Sequence, residues 1–408
     1  MNAARAGNGS DLRRTLPFAI LCLSLVLCVG PGVQPPSIQA QSAAAGPALS
    51  FPLKYVETGA ITTRIDLGRQ EVKFRKEPDF GSNDKIVRRA LKVGPGENDF
   101  MGYAINLSRH TLYLDLNQNL DLTDDPRGVY TSENIRASNL FAFFRGVRIH
   151  LTRGGVDRTY LLEPFYYLSE NTSYVGIRSL YTGQIDLHGQ RWLFQVQDNL
   201  DGQFDAADKL LLYRIAPPGS KIEPKAVALR PLPIPRSLFL DGRQYRLGFS
   251  FGTSPEGVPL TVTFTETATP LVELTLEGQA IRHLALRSDE RLAYLYSPGP
   301  TVSLPADKYR IQGAYLQTAP GKPSLVCTTE TGRLELTPGA PHLLRIGAPF
   351  VSSVVPERSG NNVLRLRYVL KGASGEEYLI ENPDRGNPPK FVIYRGDQAV
   401  ASGSFTFG

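Results

Sequence analysis

The chain has 408 residues, more than one compact core usually contains, so its length favours two or three domains. Hydrophobic residues make up 41% of the chain and charged residues 21%, the balance of a soluble globular protein. The net charge of +6 is small and the basic residues are scattered, so the composition does not support nucleic-acid binding.

The first 42 residues have the pattern of a secretory signal peptide. Arg13 and Arg14 precede an apolar run from Leu16 to Val29, and prolines and small residues follow it. The run holds about 14 residues, whereas a membrane-spanning helix needs about 20. We therefore expect cleavage and a secreted or periplasmic protein, with a signal anchor as the alternative. The general secretory and twin-arginine routes both stay open. No second long apolar run follows, so we expect no transmembrane segment in the mature chain.

Short strand signals fill the rest of the chain, whereas helical periodicity is nearly absent. The residues of Leu260–Thr265 alternate as those of a half-buried strand do, and the one predicted helix covers Ser132–Phe144. Regularly spaced strands and turns predict a mainly β fold with two or three β-sandwich-like domains. A proline-rich segment, 216–235, predicts a linker between domains. The predicted divisions are a signal peptide (1–42), a flexible leader (43–50), a β domain with two acidic loops in hairpins (51–215), the linker (216–235), a β-sandwich domain (236–337) and a C-terminal β domain (338–408).

Three features of the second half carry structural predictions. The pair Asp241-Gly242 lies between two strand-like runs and predicts a hairpin turn. The segment Leu304–Ile311 resembles the LP-x-G-x-Y strand entry of transthyretin-like and carboxypeptidase-regulatory-like sandwiches, with Asp307 where those families favour glycine. This resemblance covers one strand and implies a sandwich in the C-terminal half. Cys327 lies in an apolar strand-like run, where we expect a buried side chain.

The first acidic loop places an oxygen-bearing side chain at almost every second position. It resembles the DxNxDG half of EF-hand-like calcium loops, with Asp115, Asn117 and Asn119 at ligand positions one, three and five. Leu120 occupies the position of the usual glycine. Pro126 takes the twelfth position, so the closing carboxylate must come from one of the aspartates just before it. The predicted ligands are Asp115, Asn117, Asn119, Asp121, Thr123, Asp124 and Asp125.

The second acidic loop resembles the same motif and keeps two more of its features. Gly202 matches the turn glycine, and Phe204 matches the hydrophobic eighth residue. Gln197 stands at position one, Asp208 closes the loop in place of glutamate, and Asp198 falls out of this register. The predicted ligands are Gln197, Asn199, Asp201, Gln203, Asp205 and Asp208.

Two such loops that both follow strands predict calcium bound in β-hairpins rather than in helix–loop–helix sensors. Calcium takes six to eight oxygen ligands, and alternate Asp and Asn side chains supply several of them. The ion would neutralise clustered carboxylates and make the hairpin rigid. The alternative interpretation is an Asx-rich turn that holds no metal.

No catalytic motif accompanies the loops. The five histidines are dispersed, and the sequence has no zinc-type spacing, nucleophile elbow or phosphate loop, so we predict no catalytic residues and no organic cofactor. The leading hypothesis is an exported β-sandwich protein that binds Ca²⁺ structurally and acts as a binding or surface-associated module, with an unidentified extracellular or envelope ligand. The alternatives are an exported hydrolase of polysaccharide or peptide, with calcium as a scaffold ion, and assembly through strand edges. The oligomeric state is left open.

Overall fold

Short β-strands dominate the structure, which is a computed structural model. The mainly β fold class is confirmed, and a single 3-10 helix, Pro126–Gly128, is the only helix among the described residues. None of those residues forms a helix with the length and apolar character of a membrane span. The structure describes residues 46–57, 63–66, 71–132, 141–153, 155–167, 172–215, 231–252, 259–278, 280–317, 324–327, 330–359, 363–381 and 388–405.

The strands are numbered in chain order. Those of the first part are β1 (Ala48–Val56), β2 (Thr63–Asp66), β3 (Ile86–Lys92), β4 (Phe100–Asn106), β5 (Thr111–Leu114), β6 (Val129–Thr131), β7 (Phe141–Phe143), β8 (Val147–Arg153), β9 (Val156–Tyr167), β10 (Thr172–Ile177), β11 (Leu180–Leu187), β12 (Gln190–Gln197), β13 (Lys209–Arg214) and β14 (Leu232–Pro233). Those of the second part are β15 (Ser237–Leu240), β16 (Arg243–Phe251), β17 (Leu260–Thr267), β18 (Leu271–Glu277), β19 (Ile281–Arg287), β20 (Arg291–Tyr296), β21 (Thr301–Pro305), β22 (Lys308–Leu316), β23 (Ser324–Cys327), β24 (Thr331–Glu335), β25 (Leu343–Arg345), β26 (Val351–Ser359), β27 (Val363–Lys371), β28 (Glu377–Glu381), β29 (Lys390–Arg395) and β30 (Gln398–Ser404).

One 16-stranded sheet connects the two parts of the chain. Its order is β14-β13-β12-β11-β1-β17-β16-β15-β20-β19-β22-β23-β28-β27-β26, with β24 beside β22. Strand β1 lies inside this sheet, between β11 and β17, and pairs with both. It begins at Ala48, inside the predicted leader, because Leu49 and Phe51 pack against the core beneath the sheet.

Four smaller sheets complete the described fold. They are β2-β10-β9-β7 with β8 beside β9, β3-β4-β5-β6, β21-β18-β25 and β29-β30. The first acidic loop connects β5 to β6 in the second of these sheets, and the second acidic loop connects β12 to β13 in the large sheet. Both loops therefore lie in antiparallel hairpins.

Three large hydrophobic clusters form the core. One is built from residues between Val87 and Leu200, and another from residues between Phe239 and Tyr378. The third contains Leu53, Trp192 and Tyr294, and so combines side chains from both sides of the predicted linker. The large sheet and this cluster both combine residues from the two sides of the predicted linker. The division of the chain into separate β domains stays a prediction.

Several local predictions fall on described residues. Asp241 and Gly242 join β15 to β16 with φ values of 48° and 81°, as a two-residue hairpin turn requires. Cys327 is buried. Residues 216–230 of the predicted linker lie outside the described residues, whereas Leu232–Pro233 forms β14 at the sheet edge, where proline is tolerated. Of the predicted helix, 133–140 lies outside the described residues and Phe141–Phe143 is a strand.

Candidate metal centre

The second acidic loop, Asp198–Asp208, closes the hairpin between β12 and β13. Gln197 and Lys209 pair across the two strands, so the loop begins and ends with an aspartate at the same end of the hairpin. Both aspartates are buried, with 3% and 0% of their surface exposed. Buried carboxylates are costly unless hydrogen bonds or cations compensate them, which makes this position chemically distinctive.

Three carboxylates converge in this loop. Asp198, Asp201 and Asp208 each offer one oxygen, and these oxygens all lie within 4.8 Å of one another. Oxygens bound to one calcium ion at about 2.4 Å lie at most about 4.8 Å apart, so the spacing fits a shared ion. Among the described residues this is the one group of three or more acidic, histidine or cysteine side chains so close together. A set of carboxylate oxygens suits a hard cation better than zinc.

Asp198 has polar partners on strand β9, which belongs to a different sheet from β12 and β13. Its Oδ2 atom accepts hydrogen bonds from the Tyr160 hydroxyl at 2.7 Å and from Nη1 of the buried Arg158 at 3.3 Å. Burial raises the pKa of Asp198, and the hydrogen bonds from the Tyr160 hydroxyl and the Gly202 N–H, together with the charge of Arg158, oppose that rise. Asp198 is therefore partly compensated without a metal.

Asp208 has less compensation. Its two oxygens accept backbone N–H bonds from Asn199 at 2.7 Å and Asp205 at 2.8 Å, and no described cation lies within ion-pair distance of it. Burial raises the pKa of Asp208 to about 8, and the charges of Asp198 and Asp201 add to the rise. A cation between the three carboxylates would offset both effects.

The loop starts one residue later than the EF-hand-like register predicts. Gln197, predicted as the first ligand, is the last residue of β12, and its buried amide donates to two backbone carbonyls at 3.0 and 2.9 Å. Asp198, which that register left out, joins the carboxylate group instead. The sequence could have indicated the role of Asp198, because the segment Asp198–Asp208 has the same length as Asp115–Asp125 and, like it, begins and ends with an aspartate.

Three predicted ligands of the second loop, Asn199, Asp201 and Asp205, also shape its backbone. Oδ1 of Asn199 accepts the N–H of Asp201 at 3.0 Å, and Oδ1 of Asp201 accepts the N–H of Gln203 at 2.8 Å. Asp205 is exposed, and its Oδ1 accepts the N–H of Ala207 at 2.7 Å. These Asx turns hold the chain in a tight curve around the three convergent carboxylates.

The first acidic loop repeats this backbone frame. Oδ2 of Asp125 accepts the N–H of the residue nine positions earlier at 2.9 Å, and Oδ1 of Asp208 does the same at 2.7 Å. Asp115 and Asp198 each accept the N–H of the residue four positions later, at 3.0 and 3.1 Å. Leu120 has a φ of 65°, so the residue at the predicted glycine position adopts the left-handed conformation.

The carboxylates of the first loop are more dispersed. Oδ2 of Asp124 accepts the amide groups of Asn117 at 3.2 Å and Asn119 at 2.7 Å. Asp121 bonds the hydroxyl and N–H of Thr123 and pairs with Lys76 at 3.6 Å, and both lower its pKa. The described carboxylates here do not form a group of three with metal-type spacing.

Two aspartates of the first loop are buried, unlike its other carboxylates. Asp115 and Asp125 are both buried, and desolvation raises the pKa of each. Of the seven predicted ligands in this loop, these two most resemble the terminal pair of the second loop.

A scan of the sequence against protein-family models found no match, and searches of curated proteins and of solved structures found none.

Proposed function

We propose that this protein is exported and binds one calcium ion in the Asp198–Asp208 loop, where the ion has a structural role. The observation that supports the proposal is the convergence of three carboxylates, two of them buried, at the end of one hairpin. The ion would compensate their mutual repulsion and fix the loop against the large sheet. The export signal in residues 1–42 supports a site that works at extracellular calcium concentrations.

The chemistry of the loop favours calcium over other common cations. Three carboxylates, backbone carbonyls and water together can reach the six to eight oxygens that calcium takes. Magnesium requires shorter distances and near-ideal octahedral geometry, which a loop held by Asx turns does not readily supply. Affinity in the range of about 10⁻⁴ to 10⁻³ M, typical of extracellular modules, would keep the site filled outside a cell.

Isothermal titration calorimetry of the metal-free protein with CaCl₂ tests the proposal directly. We expect one site in that affinity range, and terbium luminescence should report the same site by competition. Asp201→Asn should weaken calcium binding about tenfold or more, and Asp208→Asn, which removes the buried carboxylate that closes the loop, should abolish it. Absence of calcium binding at about 10 mM would refute the proposal, because extracellular modules bind at lower concentrations.

Two control variants separate the site from a general effect of negative charge. Asp289→Asn removes an exposed carboxylate on the second half of the chain and should leave calcium binding unchanged. Asp205→Asn removes a carboxylate of the same loop that lies outside the convergent group. A loss with Asp205→Asn as large as with Asp208→Asn would favour the original EF-hand-like register over the three-carboxylate centre.

A further inference from the structure

The order of the large sheet begins at β14 and ends at β26, and these two edges are built differently. Strand β14 has only two residues, one of them Pro233, so that edge is short and blunt. Strand β26 has nine residues, Val351–Ser359, and within the described parts of the chain it pairs only with β27. An unpaired edge of this length presents a row of backbone N–H and C=O groups to a further strand.

Apolar side chains are concentrated at the start of β26. Phe350, Val351 and Val354 leave 40%, 62% and 43% of their surface exposed. The charged side chains that usually protect such edges do not occur between positions 350 and 356, and begin at Glu357. The first half of β26 is therefore an exposed apolar edge, and no charge on it opposes pairing.

The hairpin of β27 and β28 shows which way the backbone groups of β27 point. The Gly372 N–H donates to the Glu376 carbonyl at 2.9 Å, and the same register pairs Leu370 with Tyr378. In an antiparallel pair, residues two positions apart direct their N–H and C=O groups to the same neighbour, and the residue between them directs its groups to the other side. Leu370 therefore bonds to β28, whereas Lys371 points toward β26.

The same alternation determines which backbone groups of β26 point outward. Lys371 lies opposite Val351, so Val351 bonds to β27 and Ser352 points to the unpaired edge. Val354 and Pro356 follow at two-residue steps and point outward too. Proline has no N–H, so an outward position is where a strand tolerates it without losing a bond to its neighbour.

We propose that β26 pairs antiparallel with β26 of a second copy of this chain, across a twofold axis at Ser353. In this register the outward groups of Ser352 lie opposite those of Val354 of the second copy. The twofold axis repeats this pair, so four N–H···O=C bonds join the two copies. Val351 lies opposite Val355 of the second copy, also twice, which brings β-branched side chains together on one face of the joined sheet.

The position of Pro356 selects this register over its neighbours. A shift by two residues in one direction places Pro356 opposite Ser352, where the missing N–H removes a bond from each copy. The opposite shift places Phe350, which precedes the strand, opposite Val354. Only the register centred on Ser353 pairs both outward residues that carry an N–H and lie in the first half of the strand.

The length of the paired segment predicts a weak dimer. Five residues on each copy bury well below the about 1,200 Å² of a standard interface, so we expect a dissociation constant of about 10–100 µM. The dimer does not rest on the calcium proposal, because the acidic loop belongs to the hairpin of β12 and β13.

Sedimentation equilibrium of the full chain between about 5 and 500 µM tests the dimer by mass action. The mean mass should rise toward twice that of the monomer. Val354→Pro removes an outward N–H and leaves the bonds to β27 in place, so this variant should stay monomeric at every concentration. Val354→Thr keeps the N–H and a β-branched side chain and should dimerise nearly as wild type does. Equal Tm values at the lowest concentration show that both variants are folded.

Disulfide trapping tests the register, with oxidised glutathione as the oxidant and with Cys22 and Cys28 replaced by serine. Two copies of Ser353 would face each other as a non-hydrogen-bonded pair with Cα atoms about 4.5 Å apart, within disulfide reach. Two copies of Glu357, on the same face of the same strand, would lie about 27 Å apart. Ser353→Cys should therefore form a covalent dimer at least about tenfold faster than Glu357→Cys, while the buried Cys327 does not react.

Three results would overturn the proposal. They are a monomer at every concentration, an undiminished dimer in Val354→Pro, and equal trapping of the two cysteine variants. Trapping does not use the proline variant, so it decides the question even where Val354→Pro does not fold.

Discussion

Replacing Asp208 by asparagine should stabilise the metal-free protein at neutral pH and abolish its response to calcium. The pKa of Asp208 is about 8 in the folded protein, against an ordinary value of 3.8. A group whose pKa is raised by folding favours its protonated form there, so metal-free stability falls as pH rises from about 4 to about 8. Asparagine has nearly the same shape and cannot ionise, so it removes this fall.

The magnitude follows from the pKa and the hydrogen bonds. Keeping Asp208 in the fold at pH 7 costs about 4 kcal/mol relative to an ordinary aspartate. Asparagine leaves one of the two backbone N–H groups that Asp208 binds without its acceptor, at a cost of about 1–2 kcal/mol. We therefore expect a net gain of about 2 kcal/mol at pH 7 without metal, which shrinks toward zero near pH 5.

Thermal unfolding, followed by calorimetry with and without calcium at about pH 5, 6, 7 and 8, tests this reasoning across the titration range of Asp208. The wild-type protein should show a rise in Tm with calcium that grows with pH, because calcium requires ionised carboxylates. The variant should be more stable without metal at pH 7 and show no calcium effect. A variant less stable than wild type at pH 7 in EDTA, or one that keeps the calcium response, would refute the argument.

Three further predictions concern stability elsewhere. Asp115→Asn should cost about 1–2 kcal/mol by urea unfolding, because both carboxylate oxygens accept backbone N–H bonds; an unchanged midpoint would contradict this. Gly102→Ala should cost about 1–3 kcal/mol, since its Cβ would lie 2.6 Å from the Phe74 ring, whereas Gly248→Ala, with 3.9 Å of room, should cost little. Burial lowers the pKa of His283 to about 3, so its contribution to stability is lost as pH falls below about 6.5; His283→Phe should flatten the decline measured by acid titration.

Much of the fold could be predicted from local patterns. Alternating residues located strands such as β17, and Asp-Gly located the turn at Asp241 because only a few residue types tolerate two successive positive φ values. The pairing of β1 with β17 and the parallel pairing of β15 with β20 could not be predicted. Such contacts join residues distant in sequence, and period-2 patterning specifies a face but not a partner.

In the candidate site, too, local sequence patterns predicted part of the arrangement and long-range contacts decided the rest. The composition of both loops indicated oxygen ligands, and the structure brings Asp201 and Asp208 together. The omission of Asp198 arose because the motif was aligned from Gln197, which looks like a ligand only if the strand ends before it. The strand continues through Gln197 because two distant backbone carbonyls accept its amide.

The position of β1 between β11 and β17 has a consequence for how the chain folds. Its Ser50 hydroxyl contacts that of Thr263, 213 residues later, and Ala48–Leu53 pairs only with β17. A growing chain therefore presents an unpaired edge until about 265 residues have been synthesised, and such long-range pairing is slow. Fragments that end before β17 should expose this edge of β1 and aggregate through it, even though β11 can already pair with the other side of the strand.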